Sequence, residues 1–140
     1  MDKSISMKYV VSGDEFSLAG TASSDIKTRL KLMGFPSDAI RRAAIALYEA
    51  EINLVIHAGG GEIEVDISSD EIRMKVSDHG GGIPDIDLAM TEGYSTATEE
   101  IRNLGFGAGM GLPNMKKYTD GFSIVSVEGE GTTIDMSVKV

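Results

Sequence analysis

The chain has 140 residues, with 22 Asp and Glu against 13 Lys and Arg, a formal net charge of −9, and no cysteine. That length suits one domain, 1–140, large enough to bury a core without covalent staples. The acidic charge argues against nucleic acid as a partner, and the lack of cysteine excludes disulfides and thiolate metal sites. No apolar run approaches the roughly 20 residues of a membrane span and no signal-peptide pattern opens the chain, so a cytoplasmic protein with no membrane association is expected.

In chain order, Ile5, Met7, Tyr9 and Val11 recur at every second position, and Phe16 and Leu18 follow. Segments 4–12 and 14–20 are therefore predicted as a β-hairpin closed near Gly13. A helix is predicted over 23–33, with Ile26, Leu30 and Met33 on one face and Gly34 past its end. Pro36-Ser37 opens a longer helix to about residue 58, with Ser37 as N-cap and Ile40, Ala44, Leu47 and Leu54 as the apolar stripe. Gly59-Gly60-Gly61 stops it. Strands are predicted near 62–68 and 71–77, then a long stretch of weak periodicity over 83–109, of a kind that is often functional. A short helix near 111–119 and a hairpin of 121–128 with 132–139 complete the chain. The fold class is α+β: a two-layer sandwich, with a mixed, mainly antiparallel sheet covered on one face by helices.

Four segments carry candidate chemistry. Glu49 and Asn53 are four apart on the long helix and share a side, and a carboxylate and a carboxamide on one wall suit a magnesium–triphosphate site. Mg²⁺ takes oxygen ligands and keeps several waters, so the Asn53 oxygen suffices as the protein metal ligand, and Glu49 remains free as a catalytic base. Glu51 points elsewhere and is expected to be a solvated charge. Asp78 ends a strand before Gly80, Gly82 and Ile83. A carboxylate there accepts a hydrogen bond from the exocyclic amine of adenine, the glycines let backbone approach the base, and Ile83 can pack on it.

In Gly105-Phe-Gly107-Ala-Gly109-Met110-Gly111-Leu112, alternating glycines before a helix present backbone donors to phosphate oxygens. No Gly-Lys-Ser/Thr follows, so the run is not a P-loop. Gly129-Glu-Gly131-Thr132-Thr133 is either a plain hairpin turn or a site where the Thr132 hydroxyl reaches toward Asp78. Taken singly, each segment also fits a structural role; their order and spacing together point to ATP with a divalent metal.

Glu49…Asn53, Asp78-x-Gly80-x-Gly82, Gly107-x-Gly109-x-Gly111 and Gly129-x-Gly131-Thr132 resemble the N, G1, G2 and G3 boxes of the gyrase–Hsp90–histidine-kinase–MutL (GHKL) ATPase superfamily. Within it the chain is most similar to the anti-sigma factor serine/threonine kinases of bacterial partner-switching systems, the stressosome switch kinase branch above all. Met33-Gly-Phe35, Pro84-Asp85-Ile86 and Glu92-Gly-Tyr-Ser-Thr96 extend the likeness, which runs from about Leu18 to the C-terminus.

The resemblance implies the Bergerat (histidine-kinase-like) fold and ATP and Mg²⁺ as cofactors. It makes Asn53 the metal ligand, Glu49 the base, Asp78 the adenine contact and residues about 85–106 the ATP lid. Gly107, Gly109, Met110, Gly111 and Leu112 would bind phosphate, and Arg102, several residues early for the family's γ-phosphate arginine, is a candidate contact. His57 matches a residue common in these kinases, and a helix-capping role fits it equally. The implied substrate is a serine or threonine on a STAS-type anti-anti-sigma protein, with a sigma factor or phosphatase as a further partner and a homodimer left open. The alternative is a regulatory binding module whose lid is ordered by nucleotide, without obligatory phosphotransfer.

Overall fold

The computed structural model of the protein describes residues 5–12, 20–56, 59–80 and 111–140. Along them run β1 (Ile5–Ser12), α1 (Thr21–Leu32), α2 (Ser37–Ile56), β2 (Gly60–Ile67), β3 (Glu71–Ser77), α3 (Gly111–Tyr118), β4 (Gly121–Val127) and β5 (Gly131–Lys139). The strands form one sheet in the order β1-β2-β3-β5-β4. Every pairing among the described strands is antiparallel. The architecture is the expected α+β one, a sheet with helices on one face.

The period-two alternation of the strands decides which face is covered. Ile63, Val65 and Ile67 of β2, Ile72, Met74 and Val76 of β3, and Ile134, Met136 and Val138 of β5 are buried. They meet Leu47 and Leu54 of α2, Ile26 and Leu30 of α1, and Met115 of α3 in one core. Ala43, Ala46 and Ala50 of α2 are fully buried, and their small side chains let its neighbours approach closely. On the opposite face the register sets Lys8 beside Glu64, Glu64 beside Lys75, and Lys75 beside Asp135. Opposite charges therefore alternate across four strands on the solvated side, each pair favourable to the sheet.

Two side-chain clusters tie the layers together. The Tyr9 hydroxyl of β1 donates to Asp25 of α1, which also accepts from Arg29 Nε at 2.9 Å. Burial and then the Asp25 bond push the Tyr9 phenol up to about 12. Arg42 of α2 donates to Asp38 at 2.9 Å, to Asp120 at 3.0 Å and to the Lys139 carbonyl at 3.3 Å, joining the start of α2 to the β4–β5 end of the sheet.

The expected end of the first hairpin, at Gly20, needs correction, and β1 has a neighbour that was not expected. β1 pairs with β2, from Ile5 opposite Ile67 to Ser12 opposite Gly60. Residues 14–19 of the expected second strand lie outside the described residues. Gly20, its expected end, is instead the N-cap of α1 with φ +98. Alternation identifies the face a strand buries, not its neighbour, so a long-range partner was invisible to it. Nor is Ser37 the cap of α2: the Pro36 carbonyl accepts from the Ile40 amide at 3.0 Å, which makes Pro36 the cap and Ser37 the first helical residue.

Candidate functional site

Three of the four segments reach each other through contacts of α2. Glu49 and Asn53 lie one turn apart on it, both half-buried. The start of α3 closes on them: a methyl placed on Gly111 would lie 3.1 Å from Asn53 Oδ1, so a larger residue there would require that amide to give by a few tenths of an ångström. One turn into α3, Asn114 Nδ2 donates to Glu49 Oε1 at 3.5 Å. The end of β3 is adjacent too. A methyl on Gly61 of β2 would lie 2.8 Å from Leu54 Cδ2, the residue after Asn53, and 3.3 Å from the Asp78 Cα.

Asp78 is held by the fourth segment. Its amide donates to the Thr132 carbonyl at 3.0 Å, and its Oδ1 accepts from the amides of Gly80 at 2.8 Å and Thr132 at 3.2 Å. Gly131 makes this register feasible, because with φ +131 a Cβ there would meet the Asp78 carbonyl oxygen at 2.2 Å. Thr132 is buried, at 7% exposure, and its hydroxyl lies 2.8 Å from the Ser126 hydroxyl on β4. The Thr132 backbone, rather than its hydroxyl, thus grips Asp78. With Oδ1 occupied, Oδ2 of Asp78 has no partner among the described residues and remains available to an amine donor.

Hydrogen bonds hold the Asp25, Asp38 and Asp120 carboxyls below the usual carboxylate range, whereas Glu49 moves the other way. Burial pushes its carboxyl above the usual carboxylate range, and the Asn114 bond pulls it part of the way back. A carboxylate short of both water and strong partners is a better proton acceptor than a solvated one.

Glu51, expected to be solvated, is 2% exposed. Its two oxygens accept from the amides of Ala22 and Ser23, both at 3.1 Å, so it caps the first turn of α1 across 28 and 29 residues of sequence. Leu47, Glu51 and Leu54 are spaced four and three apart, which places Glu51 in the apolar stripe. That spacing was the available signal. Asn114 was missed as well, and its place in the first turn after the glycine run was the clue.

Among the expected site residues, the structure describes and brings together Glu49, Asn53, Asp78, Gly80, Gly111 and Thr132, and it places Leu112 in the core beside them. His57, Gly82, Ile83, Arg102, Gly107, Gly109, Met110 and the expected lid over 85–106 lie outside the described residues.

The residues present fit a magnesium–adenine nucleotide. Asp78 offers an acceptor at a strand end, and Asn53 offers an oxygen at the start of α3. Among the described residues no group of three or more His, Asp or Glu is set to hold a metal. A metal at Asn53 would therefore rest on one protein oxygen plus phosphate and water, as Mg²⁺ tolerates.

This arrangement is that of a nucleotide-binding ATPase domain, and comparison with known proteins identifies which. Residues 38–140 match the histidine kinase-, DNA gyrase B- and HSP90-like ATPase family, and the chain belongs to it. It is 36% identical over 108 residues to the serine/threonine-protein kinase RsbT of Bacillus subtilis, covering 74% of this chain and 75% of that one. It is 34% identical over 113 residues to the anti-sigma F factor of Thermoanaerobacter sp., covering 81% and 67% respectively. The anti-sigma F factor of Clostridium botulinum is 32% identical over 108 residues, covering 73% and 72%. The chain therefore falls in the anti-sigma kinase part of the family. Among the described residues no helix is long and apolar enough to cross a membrane.

Proposed function

We propose that the chain is an ATP- and Mg²⁺-dependent serine/threonine protein kinase of a bacterial partner-switching system, acting on a STAS-type antagonist protein in the cytoplasm. The observation that supports this most strongly is the desolvated Glu49 one turn from Asn53, with both side chains touched by α3. When bound, ATP with Mg²⁺ supplies the activated phosphoryl group and neutralises its charge.

The chain's own residues do the rest. Asn53 holds the metal. Asp78 Oδ2 accepts from the adenine amine, while Oδ1 stays bound to Gly80 and Thr132. Gly111 keeps the start of α3 close enough to Asn53 for its backbone donors to face phosphate. Glu49 takes the proton of the attacking serine or threonine hydroxyl. Gly107, Gly109, Met110 and Leu112 extend the phosphate contact, Gly82 and Ile83 flank the base, Arg102 is a candidate γ-phosphate contact, and His57 is a candidate nucleotide contact or helix cap.

Incubation with labelled ATP, Mg²⁺ and a STAS protein from the same bacterium tests the reading. Label in acid-stable phosphoserine or phosphothreonine, lost with Glu49→Ala while ATP still binds, is the expected result. Tight ATP binding with no transfer to any such partner would make the chain a nucleotide-dependent regulatory module that controls a sigma factor or phosphatase.

A further inference from the structure

The covered face of the sheet changes character at one cross-strand pair. β5 turns Val138, Met136 and Ile134 inward, and then Thr132. β4 packs Phe122 and Ile124 against the same core, and Ser126 follows in step with them. Ser126 and Thr132 lie directly opposite each other in the antiparallel register. Two valines there would continue both apolar stripes and bury more apolar surface. The chain instead places two hydroxyls at the end of the sheet that holds Asp78.

The distances give the pair a direction. Ser126 Oγ lies 2.8 Å from Thr132 Oγ1 and 3.5 Å from the Gly131 carbonyl oxygen. An O–H···O bond is about 2.5–3.0 Å long, so of these two acceptors Ser126 donates to the Thr132 hydroxyl. Thr132 Oγ1 then accepts, and its own proton is left to donate. The Thr132 backbone is bonded to Asp78 in both directions, so this hydroxyl belongs to the residue that grips the carboxylate.

We infer that Ser126 is a positioning residue for the nucleobase: it fixes the Thr132 hydroxyl as a donor to N1 of adenine, directly or through one water, and so sets a preference for adenine over guanine. This deepens the nucleotide reading of the site and rests on it. Adenine carries an amine donor on C6 and an acceptor at N1, whereas guanine carries a carbonyl acceptor on C6 and a proton on N1. Asp78 Oδ2 reads the first of these positions. Against guanine it sets acceptor facing acceptor, a clash that one bridging water relieves. A hydroxyl that turns freely offers either a proton or a lone pair, and so reads nothing at N1. Held as a donor by Ser126, it favours adenine and leaves the guanine N1 proton facing another proton.

The test is nucleotide binding by calorimetry, with Mg²⁺ and three probes. These are ATP, 1-deaza-ATP, in which C–H replaces N1, and purine riboside triphosphate, which lacks the C6 amine. The parent protein should bind ATP more tightly than either analogue. In Ser126→Ala the preference for ATP over 1-deaza-ATP should shrink about three- to tenfold, the usual worth of one neutral hydrogen bond. The preference over purine riboside triphosphate should hold, because Asp78 is untouched. Ser126→Thr, which keeps the hydroxyl, should restore the first ratio, and Ser126→Ala should add nothing in a Thr132→Val background. Both ratios are taken within one variant, so a general loss of affinity cancels. Ser126→Cys, with only a weak donor, should show the same fall if the alanine variant does not fold.

An unchanged ATP to 1-deaza-ATP ratio in these variants would overturn the inference. So would an equal fall in both ratios, which would mean that Ser126 only stiffens the β4–β5 end of the site. Equal binding of ATP and 1-deaza-ATP by the parent protein would overturn it too. All three outcomes leave ATP binding and the kinase reading in place, whereas failure of the parent protein to bind ATP would remove both.

Discussion

The two faces of α2 carry the same side chain to different ends. Toward α3, Glu49 is half-buried, meets only the weak amide of Asn114 among the described residues, and has its carboxyl pushed up by burial. Toward α1, Glu51 is more deeply buried yet fully partnered, each oxygen accepting a backbone amide from the first turn of that helix. A step of two residues turns a helical side chain through about 200°, so neighbouring acids look onto different surroundings. Burial alone does not make a carboxylate reactive. What matters is whether donors replace the water it loses, and they do so at Glu51 and scarcely at Glu49.

The sharpest break of this contrast is at Glu49. Glu49→Gln should lower single-turnover phosphotransfer by about 10²–10⁴-fold, the usual worth of a positioned base. ATP affinity by equilibrium dialysis should hold, and stability at neutral pH should hold or rise, because a desolvated charge is gone. A large loss of ATP binding would instead make Glu49 a ligand contact.

Glu51→Ala should do the reverse. It strands two buried amides at the start of α1 and should cost about 2–3 kcal/mol, read as a lower urea midpoint with unchanged slope. Transfer per folded molecule should change little. Unaltered stability would show that α1 is capped by other means.

The smallest effect is expected at Asn114. Its bond lowers the Glu49 carboxyl's affinity for a proton, so Asn114→Ala should raise that affinity further. As the proposed base, Glu49 would act ionised, so activity should fall as pH drops through its raised pKa, and in Asn114→Ala this acid limb should move to higher pH with the plateau rate kept. Stability runs the other way. The folded state holds the proton more tightly than the unfolded chain, so Glu49 favours folding at low pH, and that contribution is lost as pH rises from the ordinary carboxylate value through the folded one. Glu49→Gln should flatten both profiles. A limb that stays put in Asn114→Ala would mean that the 3.5 Å contact does not tune the base.

Most of the fold was legible from periodicity. α2, β2, β3, α3, β4 and β5 lie within a residue or two of their predicted ranges, because each carries an alternating or helical apolar pattern bounded by turn-forming residues such as Gly, Pro, Ser or Asp. The site was legible as a set of types and spacings: Glu49 with Asn53, Asp78 with its glycines, Gly111 at a helix start, Thr132 after Gly131. Less visible was which atom of a residue is used. Thr132 meets Asp78 through its backbone while its hydroxyl lies against Ser126, and no sequence pattern distinguishes the two.

By itself, the sequence determined the local elements, the buried face of each, and the side chains with chemistry to offer, since these follow from short-range sterics and the spacing of apolar residues. Tertiary structure alone decided the partners. β1 lies beside β2, Glu51 caps a helix 28 and 29 residues upstream, and Gly111 presses on Asn53. The physical reason is that a carboxylate's role depends on the donors and water around it, and those are supplied by chain segments far away in sequence.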